Sequence, residues 1–498
     1  MTSAPPPASR CAMARPMPLP APVTRACTPI LRSRVTSHPL AYDPYHYYIG
    51  RLISQARAVR LGRPESFWTT RSLEAALTAT TPPSVDGFDP LDPETLQCPY
   101  PWHRSLRERA PVHFVASRGM WFVTSRELVA KALADHDTFS SAFGLPQMPV
   151  PDSIKAEVEA IQAEGWPPVP TLLTADPPEH HYYRRMLAKA FTPRFVAQLE
   201  PEIRAIAREL VAALPVGAEV EVVRGFAAPL PLRVIARVLN VPDDRIDDFK
   251  RWSDQFTATV GGQLDDAGLL EQARNMVEFQ KYFAAELDDR RAHPRADLLS
   301  GLVTAHSMDD ADEPLSTGAI LNIIVQLLIA GNETSTKLLT GILHELAREP
   351  KLWDRLRDNP IDYAADLVEE GLRFLSPVQS MFRITKAEAT LGEYTIPAGQ
   401  LVVLVFGSAN RDDEAFTHPD DFDPARPNAK AHLAFGAGIH ACLGAPLARL
   451  ESRIALEELA ARFGSVRLGA GNDFAYEPSF MLRGLQRLAL EFGADGHS

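Results

Sequence analysis

The chain has 498 residues, 45% hydrophobic, 23% charged and 8% aromatic, which excludes fibrous, collagen-like and fully disordered classes and is enough to bury a large core. A net charge of −12 argues against a general nucleic-acid binder, and no run approaches the roughly 18 apolar residues of a membrane-spanning helix, so no transmembrane anchor is expected. Four cysteines (Cys11, Cys27, Cys98 and Cys442) are too few for a disulfide scaffold and none stand at metal-finger spacing, so the expected compartment is reducing and cytoplasmic.

The start of the chain differs in kind from the rest. Residues 1–80 hold ten arginines, no lysine and three acids, a local charge of +7 against −19 for the remainder. Nine prolines fall within residues 1–40, each fixing φ and removing an amide donor. No apolar stretch follows to form a secretory signal, and the prolines spoil the amphipathic helix of an organelle transit peptide. Residues 1–85 are therefore expected to be a largely disordered Pro/Arg-rich extension, with a short helix or two over 45–78 at most.

From residue 86 the pattern becomes periodic. Val112-His113-Phe114-Val115 and Met120-Trp121-Phe122-Val123, joined across Arg118-Gly119, predict a β-hairpin. Apolar spacing predicts helices over 128–133, 203–214, 230–239 and 276–289. Ser316 can cap a long helix that carries Ile320, Ile323, Ile324, Leu327 and Leu328 and continues to Leu346. A further helix runs from Ile361 to Leu375, where Ser376-Pro377 stops it. The expected fold is mainly α with a minor β-sheet region.

One window carries the clearest chemistry: Phe435-Gly436-Ala437-Gly438-Ile439-His440-Ala441-Cys442-Leu443-Gly444, followed by Pro446 and an apolar-periodic helix. Glycines bring backbone amides close to an anion, and a following helix N-terminus adds positive potential; both favour thiolate over thiol. Such a thiolate is a nucleophile or a soft metal ligand. The spacing does not suit zinc, whereas one cysteine suffices for an iron already held by a porphyrin.

The window matches F-G-x-G-x-H-x-C-x-G, and the chain thereby resembles the cytochrome P450 family. The resemblance implies the fold of that family over residues 86–498 and heme b (iron protoporphyrin IX) as cofactor, with Cys442 as the axial ligand to iron and Phe435, Gly436, His440 and Gly444 around it. Glu370-Gly371-Leu372-Arg373 is E-x-x-R on the helix running from Ile361 to Leu375, where i and i+3 share a face. It resembles the structural pair of the family, completed by Arg426 from Phe422-Asp423-Pro424-Ala425-Arg426. Ala330-Gly331-Asn332-Glu333-Thr334 resembles its oxygen-activation motif, an expected kink in the long helix where Glu333 and Thr334 deliver protons. Asp176-Pro177-Pro178-Glu179-His180 and Arg184 resemble a heme-propionate segment; Arg383 matches another propionate ligand. By the same resemblance Gln326, Gln379, Met381, Phe480 and Met481 touch substrate.

The implied activity is insertion of one atom of O2 into a hydrophobic organic substrate by a soluble bacterial-type monooxygenase. No room remains for a fused reductase, so electrons are expected from a ferredoxin-type donor with an NAD(P)H-dependent reductase, docking near Arg184, Arg185, Lys189, Arg194, Arg449 and Arg453. A peroxide-driven peroxygenase is the alternative within enzymes, opposed by the acid–alcohol pair. A heme-binding sensor without turnover is the alternative outside them.

Overall fold

The computed structural model describes residues 83–143, 150–188, 191–261, 264–305 and 314–494. The expected extension lies outside them save for residues 83–85, as do the expected helices over 45–78 and the side chain of Lys189. Six helices position the site and are numbered along the chain: α1 Glu179–Ala188, α2 Pro193–Ala213, α3 Pro229–Val238, α4 Thr317–Arg348, α5 Pro360–Leu375 and α6 Ala445–Arg462.

The long helix α4 is the spine. The Ser316 hydroxyl accepts the Ala319 N–H, satisfying one orphan donor of its first turn, and Pro350 prevents its continuation beyond Arg348. Apolar residues cover nearly all of its circumference, so it is buried between α3, α5 and α6 rather than laid on a surface. The predicted helix over 203–214 is the second half of α2, whose first turn is capped by Thr192 and which continues through Pro201. That proline reads as a breaker, yet packing of α2 along α6 keeps the helix whole. The predicted segment 276–289 is likewise the end of a 27-residue helix, Asp266–Ala292.

The β component is small. The strands are β1 Val112–Val115, β2 Met120–Val123, β3 Phe139–Ser140, β4 Glu219–Glu221, β5 Ser380–Thr385, β6 Ala389–Leu391, β7 Tyr394–Ile396, β8 Leu401–Val405, β9 Ser465–Leu468 and β10 Ala489–Gly493. Five form one sheet in the order β1-β2-β8-β5-β3, in which the predicted β1–β2 hairpin pairs Val112 with Val123. Period-two alternation along β5 sends Met381 and Arg383 toward the helices while Phe382 packs on the opposite face. No described helix is long and apolar enough to cross a membrane.

Candidate active site

Between α4, α6 and β5 lies a cavity of about 1640 Å3, including its open mouth. Apolar side chains such as Leu172, Val234, Ile235, Leu327 and Val378 make up much of its wall. Cys442 opens onto the cavity from the loop before α6. The loop is shaped by two left-handed glycines, Gly436 (φ 65°) and Gly438 (φ 68°), and a Cβ on Gly438 would collide with the Leu133 carbonyl. The Cys442 N–H donates to the Phe435 carbonyl (2.9 Å), fixing the turn, and Gly444 is the N-cap of α6.

The expected pull of the loop and helix N-terminus toward thiolate is present but outweighed. Burial pushes the Cys442 thiol up; the Gly444 and Ala445 amides and the Arg184 and Arg449 charges pull the other way without prevailing. A thiolate in this setting needs a cation against the sulfur, and a bound iron is such a cation. Beneath the loop, Arg449 stacks over the Phe435 ring (4.6 Å to its centroid) and pairs with Glu369.

Four cationic or imidazole groups line the same cavity. His180 and Arg184 come from α1 at i and i+4, Arg383 from β5 and His440 from the cysteine loop; the two imidazoles lie 4.0 Å apart, centroid to centroid. His180 is buried with neither ring nitrogen hydrogen-bonded. Burial, with Arg184 second, holds it down to about 4, and burial with His180 and Arg383 holds His440 down to about 3, so both are neutral at pH 7. Arg383 donates to the Phe382 carbonyl (2.7 Å), and burial lowers it only to about 10, so it stays charged. Among the described residues neither Arg184 nor Arg383 has a carboxylate within ion-pair distance. Uncompensated positive charge and an orphaned imidazole beside a cavity fit a cofactor that brings its own carboxylates.

Helix α4 runs past Ala330–Thr334 as continuous helix, so the expected interruption is absent from its secondary structure. Gly331 faces Ile235 at ordinary contact distance. Ala330, Gly331, Thr334 and Gln326 all line the cavity, as their shared face predicts. The Thr334 hydroxyl donates to the Ala330 carbonyl (2.8 Å). Glu333 does not line the cavity: Lys337, one turn on and 3% exposed, donates to it (2.6 Å) and also pairs with Glu477 (2.9 Å). Burial opposes the Lys337 charge, but the two carboxylates outweigh it and keep its pKa above the usual value. Sequence reasoning missed Lys337, although its i, i+4 spacing from Glu333 was a legible signal.

Of the expected substrate contacts, Gln326 and Met381 line the cavity and three do not. The Gln379 amide folds back to donate to the Leu375 and Ser376 carbonyls (3.0 and 2.7 Å), which the end of α5 leaves open. Phe480 packs against Phe122 and Phe382 at ring distances of 6.2 and 6.0 Å, and Met481 joins the same cluster. Gln326 accepts the Leu173 N–H through Oε1 (3.1 Å), leaving its Nε2 without a partner.

The structural triad is assembled as expected. Glu370 and Arg373, both fully buried, make a two-pronged pair (2.7 and 2.8 Å), and Arg426 reaches Glu370 at 3.3 Å. Arg373 also donates to the Asn410, Pro419 and Asp421 carbonyls. The expected basic docking patch is thinner than its arginine count suggests. Arg449 is spent on Glu369, Arg453 on Glu457, and Arg184 lines the cavity, which leaves Arg185 and Arg194 as its exposed members among the described residues.

Comparison with known proteins agrees with this geometry. Residues 232–466 match the family model described as cytochrome P450. The chain is 35% identical over 368 residues to the putative cytochrome P450 YjiB of Bacillus subtilis, covering 73% of this chain and 87% of the relative. It is 37% identical over 373 residues to the erythromycin C-12 hydroxylase of Saccharopolyspora erythraea, covering 73% and 86%. The solved structure of cytochrome P450 CYP109Q5 from Chondromyces apiculatus superposes with a TM-score of 0.71 at 37% identity, over 82% of this chain and 98% of that one.

The fold and site therefore define a heme-thiolate monooxygenase. The chain belongs to the cytochrome P450 family; it binds heme b, draws electrons from a redox partner and acts on a hydrophobic substrate.

Proposed function

We propose that Cys442 is the axial ligand to the heme iron and that His180, Arg184, Arg383 and His440 hold the propionates, with Phe435, Gly436, Gly444, Ala330 and Gly331 packed about the ring. The observation that carries this reading is the single thiol opening onto a cavity that also exposes two arginines without an ion-pair partner among the described residues and a histidine with both nitrogens unsatisfied. When bound, the heme supplies dioxygen activation: one oxygen atom enters the substrate and the other leaves as water, at the expense of two electrons and two protons.

The rest falls to the chain. Thr334 presents its hydroxyl to the cavity and passes protons there, while Glu333, held through Lys337 to the half-exposed Glu477, connects it to solvent. Glu370, Arg373 and Arg426 keep the segment before the cysteine loop in place without touching reactants. Met381 and the apolar wall exclude water, and Gln326 Nε2 is available to a carbonyl or hydroxyl oxygen of the substrate. Electrons come from a ferredoxin-type protein served by an NAD(P)H-dependent reductase, approaching the exposed Arg185 and Arg194; residues 86–498 are the catalytic domain, residues 1–85 an extension, and the setting is cytoplasmic.

The experiment is to supply a reconstituted donor system and compare wild type with Thr334→Ala. The expected result is NAD(P)H consumption maintained while product falls and peroxide rises. Unchanged coupling would remove Thr334 from proton delivery.

A further inference from the structure

Behind the segment that leads into β5 lies a second, smaller hollow. Val378 and Met381 of that segment line the active cavity, whereas Gln379 and Ser380 line the hollow, so one stretch of chain separates the two. Phe88, Phe122 and Phe480 give the hollow an apolar side. The helices Pro93–Gln97 and Tyr100–Arg109 bring Thr95 and His103 to it. Three residues of its wall each carry a buried polar atom with no hydrogen-bond partner among the described residues: Thr95 Oγ1, His103 Nδ1 and Gln379 Oε1. Thr95 and Gln379 are 3% exposed and His103 is 6% exposed.

Leaving one such atom unpaired is costly, and three around one hollow point to a ligand that they share. The Gln379 Nε2 donates to the Leu375 and Ser376 carbonyls, so the orphan is its carbonyl oxygen, which only accepts. An anion would face the negative end of that group. A cation would face Arg483, which is buried on the same wall and donates to the Leu96 and Gln97 carbonyls (3.1 and 2.7 Å). Burial, with Arg107, Arg483 and Arg411 after it, holds His103 down to about 3, so its ring is neutral at pH 7. What fits is a small neutral molecule that both donates and accepts. The space open to the centre of a water is about 20 Å3, where one water needs roughly 10–15 Å3.

We propose that the hollow is a water site built into the fold, where an ordered water donates to Gln379 Oε1 and links it to Thr95 and His103, and that Gln379 is thereby a positioning residue for the wall of the active cavity. A bridging water holds two groups nearly as well as a direct hydrogen bond does. The backbone of the segment is already fixed on two sides: the Gln379 N–H donates to the Met481 carbonyl (2.7 Å), and the Gln379 carbonyl accepts the Gly407 N–H (3.0 Å). The water adds a third tie, to the helices Pro93–Gln97 and Tyr100–Arg109. A Cβ on Gly407 would collide with Gln379 Oε1, so a glycine there makes room for the amide. Holding Gln379 holds Val378 and Met381 at their places on the active cavity. Gln379 itself touches no reactant. The positioning role rests on the reading of Met381 as a wall that meets substrate; the water site does not.

The test uses the heme-loaded protein and two readouts. A crystal structure at a resolution that orders waters should show one in the hollow, within hydrogen-bond distance of at least two of Gln379 Oε1, Thr95 Oγ1 and His103 Nδ1. The second readout is the affinity of phenylimidazole and of imidazole for the heme iron, followed by the Soret band. Thr95→Val and Gln379→Leu should each weaken phenylimidazole severalfold and leave the smaller imidazole unchanged. The double variant should be no worse than either, and Thr95→Ser should bind as the wild type does. A hollow that holds no water, or phenylimidazole affinity unchanged in Thr95→Val, overturns the proposal; Thr95→Val decides the matter even if Gln379→Leu does not fold. Equal weakening of both ligands also overturns it, because a general disturbance of the heme pocket moves both. Met381→Ala should weaken phenylimidazole alone. If it changes neither ligand while Thr95→Val still does, the reading of Met381 falls and the water site stands.

Discussion

Two clusters of buried charge in this molecule are built to opposite specifications. Around Glu370 every strong donor finds an acceptor: Arg373 is shared between one carboxylate and three backbone carbonyls, and Arg426 adds the Thr417, His418 and Asp421 carbonyls. Around His180 the accounting fails among the described residues, with two imidazole nitrogens unpaired and no carboxylate within ion-pair distance of Arg184 or Arg383. The first cluster is complete within the chain and serves the fold. The second is complete only when a ligand brings anions, which marks it as the binding site.

The contrast can be broken by substitution. The largest effect is expected at Glu370→Ala, which strands the fully buried Arg373 guanidinium and should cost about 3–5 kcal/mol in urea unfolding of the apoprotein. A near-neutral result would show that the triad is not what holds the heme-side core. His180→Phe should leave apoprotein stability unchanged or raised, because an unsatisfied buried polar group is replaced by an apolar one. In the same variant, heme should transfer to a competing apoprotein about tenfold faster. Loss of apoprotein stability without faster heme loss would make His180 a structural residue. The smallest effect is expected at Gln326→Leu, where loss of the Leu173 N–H acceptor costs about 1 kcal/mol of stability. Once a substrate bearing a carbonyl or hydroxyl is found, its affinity should drop about tenfold in this variant, and that of its deoxygenated analogue should not. Equal responses would confine Gln326 to its contact with Leu173.

What the sequence made legible follows from the range of the interactions. The cysteine loop, the Glu370–Arg373 pair and the shared face of Gln326, Ala330 and Thr334 depend on neighbours within one or two turns, and spacing encodes them. The misplaced residues depend on partners far along the chain. Gln379 is the exception, turned back to the open carbonyls four and three residues before it at the end of α5, whereas the Phe122–Phe382 pair draws in Phe480 from a distance in sequence. The arginines of the docking patch are neutralised by Glu369 and Glu457, whose approach only the folded chain reveals.

The central claim is that Cys442 provides the thiolate ligand of heme iron in a pocket the chain has otherwise prepared. The most direct measurement is the absorption spectrum of the ferrous carbon monoxide complex in wild type and Cys442→Ala, each reconstituted with heme b. The account predicts a strongly red-shifted Soret band in the wild type that vanishes in the variant while heme is still taken up by His180, Arg184 and Arg383. Persistence of the shifted band in Cys442→Ala would contradict it.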